Sequence, residues 1–94
     1  MKAIWKYDLI IGGYTTIEMP LYSYPLTAQI QGRDTLSLWA VVCTDLDVPK
    51  QIRRFRVYGT GHPIPEFYIW IATVQMENGA LVLHVLEVAP NEIL

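Results

Sequence analysis

The stretch from Gly59 to Pro65 holds two glycines, a histidine and two prolines in seven residues, and strand-like apolar sequence lies on both sides of it. Backbone N–H groups at glycines can form a concave nest that binds an anion. The side chains of Thr60 and His62 can hydrogen-bond to a ligand and orient it. This loop is therefore the first candidate for a binding site. In the alternative interpretation, its glycines and prolines only shape the path between two strands.

Three residues with suitable chemistry come just before the loop. Arg54, Arg56 and Tyr58 occupy alternate positions, so a strand over residues 52–58 places them on one face. Arginine pairs with phosphate through two N–H groups, and tyrosine can stack on a base. These residues and the loop together predict a site for a phosphorylated, nucleotide-like molecule. The alternative is a solvated, charged strand face that discourages edge pairing.

The predicted site assigns each residue a role. The arginines contact phosphate, an aromatic ring stacks on the base, the glycines donate backbone N–H groups, and the loop side chains set the orientation. The ligand-binding residues on this hypothesis are Arg54, Arg56, Tyr58, Gly59, Thr60, Gly61, His62 and Trp70.

Classical nucleotide folds do not fit the sequence around Gly59-Thr60-Gly61. A dinucleotide fingerprint needs a helix directly after its glycines, because the pyrophosphate binds at the helix N-terminus. Here His62-Pro63-Ile64-Pro65 follows and leads into a strand, and the lysine of a P-loop is missing.

Metal binding and catalysis find no support in the residue spacing. His62 and His84 are the only histidines and Cys43 is the only cysteine, so no pair has the spacing of metal ligands. A pairing of Cys43 with either histidine stays open, although a cysteine in an apolar strand is usually inert. We predict a non-catalytic protein without a cofactor or metal, in which Asp45 and Asp47 are turn residues.

The elements that must position the site are strands. Residues with period-two alternation or continuous apolar character predict strands over 3–11, 15–19, 26–31, 35–44, 52–58, 67–76 and 81–88. Gly12-Gly13 and Asn78-Gly79 are typical of tight hairpins. The strand over 35–44 is apolar on both faces, which predicts the centre of a sheet, and 67–76 reads as a buried strand. The expected fold is all-β: about seven mostly antiparallel strands in a small sandwich or open barrel, with little or no helix.

Composition limits the partners. The 94 residues indicate one β-rich domain spanning 1–94, with a frayed end that comprises Pro90 and the last few residues. Because 52% of the residues are hydrophobic, we expect part of the apolar surface to be covered by another copy of the chain, in a homo-oligomer. The net charge of -2 argues against general DNA or RNA binding.

Location is predicted from what the sequence contains. No apolar run reaches the roughly 20 residues that span a bilayer, and the first residues lack a signal-peptide pattern. The single cysteine fits a reducing compartment. We therefore expect no membrane association and a cytoplasmic location.

The order of several segments resembles a known family. These are Ile4-Trp5-Lys6-Tyr7, Ile17-Glu18-Met19-Pro20, Leu38-Trp39-Ala40-Val41-Val42, and above all Gly59-Thr60-Gly61-His62-Pro63-Ile64. The chain is similar, over nearly its whole length, to a family of short proteins encoded by phages and prophages. That family has no established activity to transfer, and the turn at Gly32-Arg33-Asp34 departs from its usual Asn-Gly.

The resemblance implies a setting in the cytoplasm of a host bacterium. Small phage proteins without catalytic motifs often act by binding, and some sequester the cyclic nucleotide signals of bacterial immunity. By analogy we expect a sponge for a cyclic nucleotide or a similar anionic small molecule. The alternative is an inhibitor that binds a host protein, or a structural accessory protein without a small-molecule ligand.

Overall fold

The computed structural model describes residues 1–90, and within them the chain is all-β, as predicted. Seven strands follow one another: β1 Lys2–Leu9, β2 Tyr14–Pro20, β3 Tyr24–Gln31, β4 Thr35–Cys43, β5 Lys50–Gly59, β6 Tyr68–Met76 and β7 Leu81–Val88. A single 3₁₀ turn, Glu77–Gly79, joins the last two. The predicted fraying concerns Pro90 and the residues after it; Pro90 is described, and residues 91–94 lie outside the described residues.

The strands form two antiparallel sheets, with the orders β1-β4-β3 and β2-β5-β7-β6. Alternate residues of both sheets meet in one core, whose fully buried members include Met19, Leu38, Phe55 and Val85. The two sheets remain separate, so the structure is the sandwich and not the barrel of the two predicted forms. Burial of these side chains is the main stabilising contribution, about 1.5–3 kcal/mol for each large one.

The prediction of a hairpin at Gly12-Gly13 is wrong. Strand β1 pairs with β4 and strand β2 pairs with β5, so the segment between β1 and β2 crosses from one sheet to the other. The Ile10 N–H donates a hydrogen bond to Thr15 Oγ1 over 2.9 Å across this connecting segment, in which Gly13 has a φ of +102°. Alternation specifies which face of a strand is buried but not which strand lies beside it.

The position of β6 also differs from expectation. β4 is the centre of its sheet, as predicted, but β6 is an edge strand and its first three residues, Tyr68, Ile69 and Trp70, are exposed. A bulge between Trp70 and Ala72 shifts its register on β7. Because β6 is apolar on both faces and lies at an edge, part of its apolar surface is left uncovered.

The Asn78-Gly79 hairpin is confirmed, because β6 and β7 pair over their length. Its turn holds Glu77, Asn78 and Gly79 at positive φ, which asparagine and glycine tolerate best. This hairpin brings the end of the chain back beside β5 and builds the face on which the predicted site lies.

Candidate functional site

The site lies on the outward face of the four-stranded sheet. In the register of β5, β7 and β6, Tyr58 stands opposite His84, and His84 stands opposite Thr73. One row further along, Leu86 stands between Arg56 and Trp70. Side chains directly opposite in antiparallel strands share a face, so residues far apart in sequence become neighbours here.

The loop after β5 begins with a tight turn. The His62 N–H donates to the Gly59 carbonyl oxygen over 3.1 Å, and Gly61, the third residue of the turn, has a φ of +89° that favours glycine. The His62 ring folds back over the Gly59 backbone. A Cβ added at Gly59 would lie 2.9 Å from His62 Cε1, which is closer than carbon atoms pack. The His62 ring therefore occupies the space that a side chain at Gly59 would need.

A cavity of about 270 Å³ opens between this loop and the sheet. Six of the eight predicted site residues line it, namely Tyr58, Gly59, Thr60, Gly61, His62 and Trp70. The remaining lining residues are Ile64, Tyr68, His84 and Leu86. The structure thus brings the loop and the aromatic side chain of β6 together in one place.

A second cavity of about 370 Å³ lies beside the first. It is lined by Arg56, Val57, Tyr58, His62 and Pro63, so Tyr58 and His62 form part of both walls. Arg56 is therefore a cationic side chain that shares a cavity with His62 of the loop.

Tyr14 organises the two arginines of the predicted site. The guanidinium of Arg54 lies 3.7 Å from the centre of the Tyr14 ring and that of Arg56 lies 4.6 Å from it. Arg56 also approaches the Tyr58 ring at 5.4 Å, and Arg54 Nη1 donates to the Pro90 carbonyl oxygen at 2.9 Å. Cation–π contacts of this kind orient the guanidinium groups on the sheet surface.

A chain of hydrogen bonds connects three residues that line the first cavity, Trp70, His84 and Thr60, through Thr73, which does not line it. Trp70 Nε1 donates to Thr73 Oγ1 over 3.1 Å. Thr73 Oγ1 lies 3.0 Å from His84 Nδ1, and His84 Nε2 lies 2.8 Å from Thr60 Oγ1. The chain links β6, β7 and the loop through side chains alone.

Sequence reasoning missed part of this arrangement. Tyr14, Thr73 and His84 are not among the eight residues predicted for the site, although His84 makes two hydrogen bonds there. All three reach the site through strand pairing, for which a single sequence carries no direct signal. The alternating positions of Thr73 and His84 in their strands were the only indication that they face outward.

The family comparison agrees with the extent of the fold. A family model described as a domain of unknown function, DUF7352, matches residues 1–93. The chain belongs to the DUF7352 family. No curated protein matches the chain, and no solved structure matches it.

The cysteine of this DUF7352 chain lies away from the cavity. Cys43 ends β4, in the sheet that carries neither histidine. Its neighbour Asp45 accepts hydrogen bonds from the N-terminal ammonium group, 3.1 Å away, and from Cys43, and these bonds lower the pKa of the Asp45 carboxyl. The predicted alternative of a Cys43–histidine pair is therefore not formed.

The DUF7352 fold also carries an ion pair on the inner face of its larger sheet. Arg53 donates to both carboxylate oxygens of Glu87, through Nη2 to Oε1 at 2.8 Å and through Nε to Oε2, and Nη1 donates to the Ser23 carbonyl oxygen at 2.8 Å. The hydrogen bond with Glu87 raises the pKa of the Arg53 guanidinium. Arg53 thus differs from Arg54 and Arg56, because it holds the sandwich together from inside.

Two further properties concern residues 1–90 only. No cluster of three or more histidine, cysteine, aspartate or glutamate side chains is placed to hold a metal ion there. No helix in that part of the chain has the length and apolar character needed to span a membrane.

Proposed function

We propose that this protein binds a planar, phosphorylated ligand of the nucleotide type and holds it without turnover. The observation that carries the proposal is the first cavity, where the loop glycines, two histidines and the ring of Trp70 converge. The polar groups are few and the walls are largely apolar, which is typical of small-molecule sites.

The base would bind in the first cavity. The Trp70 side chain is 59% exposed at the cavity rim, so its indole face is open to a flat ring. Stacking of a base on an aromatic side chain contributes about 1–3 kcal/mol and tolerates different bases. Tyr68 and His62 offer further planar surfaces at the same cavity.

The phosphate would bind towards the second cavity. Arg56 lines that cavity, and its guanidinium is oriented by Tyr14 and Tyr58. Hydrogen bonds from an ionised donor to phosphate are roughly twice as strong as neutral ones. Arg54 lies further along the strand, stacked on Tyr14, and would add positive potential to the same face.

The biological setting of the proposal rests on the resemblance to phage-encoded proteins. A stoichiometric binder without turnover would sequester a nucleotide signal in the host bacterial cytoplasm and so suppress a defence response. A homo-oligomer would present several copies of the site.

Calorimetry and thermal unfolding with a defined panel test this proposal. The panel contains cyclic di-GMP, cyclic di-AMP, cyclic ADP-ribose isomers and AMP. We expect at least one cyclic nucleotide to raise the Tm. At a ligand concentration 100 times Kd, the free energy of unfolding should rise by about 2.7 kcal/mol. Chromatography of the released ligand should return it unmodified.

Variants distinguish specific binding at this site from nonspecific binding. Trp70→Ala and Arg56→Ala should each weaken binding at least tenfold. Trp5→Ala removes a partly exposed tryptophan from the other sheet and should bind like the wild type. If no ligand in the panel stabilises the wild type, or if Trp70→Ala binds as tightly, the proposal is wrong.

A second candidate function, an inhibitor that binds a host protein, is favoured by one observation. Phe67, just before β6, is 77% exposed, Ile69 near the start of β6 is 62% exposed, and Tyr24 at the start of β3 is 68% exposed. Large apolar side chains exposed together often mark a protein interface. This function predicts capture of one host protein at fixed stoichiometry, unaffected by added nucleotide and lost in Ile69→Lys but not in Arg56→Ala.

A further inference from the structure

The hydrogen-bond chain that links three lining residues of the first cavity bears on the choice of ligand. Its four members are Trp70, Thr73, His84 and Thr60, joined at 3.1, 3.0 and 2.8 Å. Two arrangements of donors and acceptors are possible along this chain, because a hydroxyl has a single proton and a neutral imidazole has one N–H.

The end at Trp70 is fixed by chemistry. An indole N–H can only donate, so Thr73 Oγ1 accepts there. Thr73 then continues the chain if its own proton points at His84 Nδ1, which makes Nδ1 the acceptor and places the imidazole proton on Nε2. The His84 Nε2–H donates in turn to Thr60 Oγ1.

The opposite direction is less favourable. If His84 carried its proton on Nδ1, Thr73 Oγ1 would accept two hydrogen bonds and its own proton would leave the chain. A head-to-tail chain polarises each successive bond and is stronger for it. Each direction makes three hydrogen bonds and leaves one hydroxyl proton outside the row, that of Thr60 in the first and that of Thr73 in the second. The polarisation along a head-to-tail row is what favours the direction from Trp70 towards Thr60.

We infer that Thr60 is the specificity-determining residue of the site, a hydrogen-bond donor that selects a ligand with an acceptor atom at its edge. With the direction argued above, its oxygen accepts from His84 and its own proton is left to donate to a group in the cavity that Thr60 lines. This inference rests on the proposed function and names its ligand class: a donor that faces position 6 of the base selects guanine, which has the acceptor O6 there, over adenine, which has an amino donor there.

The first part of the test needs no ligand. Long-range ¹H–¹⁵N NMR spectra of the imidazole groups show which ring nitrogen carries the proton, and the chain has only two histidines, so His62→Gln assigns the signals. We expect His84 to be the Nε2–H form in the wild type and to shift towards a mixture in Thr73→Val. A His84 protonated on Nδ1 in the wild type overturns the inference, whether or not any nucleotide binds.

The second part compares cyclic di-GMP with cyclic di-AMP by calorimetry. We expect cyclic di-GMP to bind at least tenfold more tightly, Thr60→Ser to keep that preference, and the nearly isosteric Thr60→Val to lose it. Equal affinity of wild type and Thr60→Val overturns the inference even where binding itself supports the proposed function. If His84 is the Nε2–H form but neither probe binds, the assignment of the ligand class is overturned and the hydrogen-bond chain is left as a structural element.

Discussion

Gly59 and His62 constrain each other at the scale of single residues. The His62 ring occupies the space in which any side chain at Gly59 would begin. His62 is exposed, so it can move away at little cost in stability, but it would then leave the wall that it shares between the two cavities.

Gly59→Ala should therefore displace the His62 ring while the fold remains intact. We expect changed NMR shifts of His62, an unfolding free energy within about 1 kcal/mol of the wild type, and at least fivefold weaker binding of any nucleotide that the wild type binds. Gly12→Ala is the control, because a Cβ at Gly12 meets no atom within 4 Å. Unchanged His62 shifts in Gly59→Ala would contradict the prediction.

Tyr7 is a second informative residue, because its hydroxyl is buried and has no hydrogen-bond partner among residues 1–90. Tyr7→Phe removes this unsatisfied group, so we expect the protein to become more stable by about 1 kcal/mol in urea unfolding. A loss of stability in Tyr7→Phe would show that the hydroxyl is satisfied after all.

Tyr7 also predicts a pH dependence. Burial raises its pKa above the ordinary value of 10.0 in the native state, so the unfolded chain loses this proton at lower pH than the native protein does. Unfolding then releases a proton in the window above pH 10, and stability falls as pH rises through it. The slope of stability against pH above 10 should be smaller in Tyr7→Phe. An identical slope in both proteins would contradict the assignment.

At the scale of elements, the ion pair between Arg53 and Glu87 ties β5 to β7 and, through the Ser23 carbonyl, to the segment before β3. Both side chains are only 12–13% exposed, so removing one partner leaves a charge that is poorly solvated. Removing one partner therefore costs more stability than replacing both, because two apolar residues of similar size can often replace a buried pair without loss of stability.

Glu87→Gln should accordingly lower the unfolding free energy by about 2–4 kcal/mol, measured by urea denaturation. The double variant Arg53→Met/Glu87→Leu should recover most of that loss. Glu18→Gln, an exposed glutamate on the edge strand β2, is the control and should change stability by less than about 0.5 kcal/mol. A Glu87→Gln variant as stable as this control would contradict the prediction.

At the scale of the whole molecule, the edges of the two sheets differ in charge. Strands β1 and β2 carry Lys2, Lys6, Asp8 and Glu18, and charged side chains protect an edge from pairing with another chain. Strands β3 and β6 form the other two edges, lie next to each other, and contain no charged residue. A second copy can therefore meet this side without repulsion between like charges, which favours it as the contact in the proposed homo-oligomer.

Ile69→Lys should shift this protein from oligomer to monomer in light scattering coupled to gel filtration, because it places a charge at the uncharged edge. Leu46→Lys adds the same charge at a fully exposed loop position and should leave the oligomer intact. A wild type that is monomeric at high concentration, or an Ile69→Lys variant that stays oligomeric, would contradict the proposed contact.

Much of the candidate site could be predicted from the sequence because it is local. Arg56, Tyr58 and the loop from Gly59 to His62 are consecutive or alternate in one strand and the turn that follows it. Their common face follows from strand geometry alone. Trp70, by contrast, is one of several aromatic residues, and strand geometry alone does not place it beside the loop.

The sequence by itself determined the number of strands, the alternation that separates buried from exposed residues, and the position of the glycine loop. Only the tertiary structure decided that β1 pairs with β4, that β6 lies at an edge, and that Tyr14, Thr73 and His84 meet the loop. The physical reason is that a period of two fixes the face of a residue, whereas its cross-strand neighbours depend on pairing between segments distant in the chain. The part of the site formed by β5 and the loop around Gly59 is thus continuous in sequence, whereas the part contributed by β2, β6 and β7 comes from segments distant in the chain.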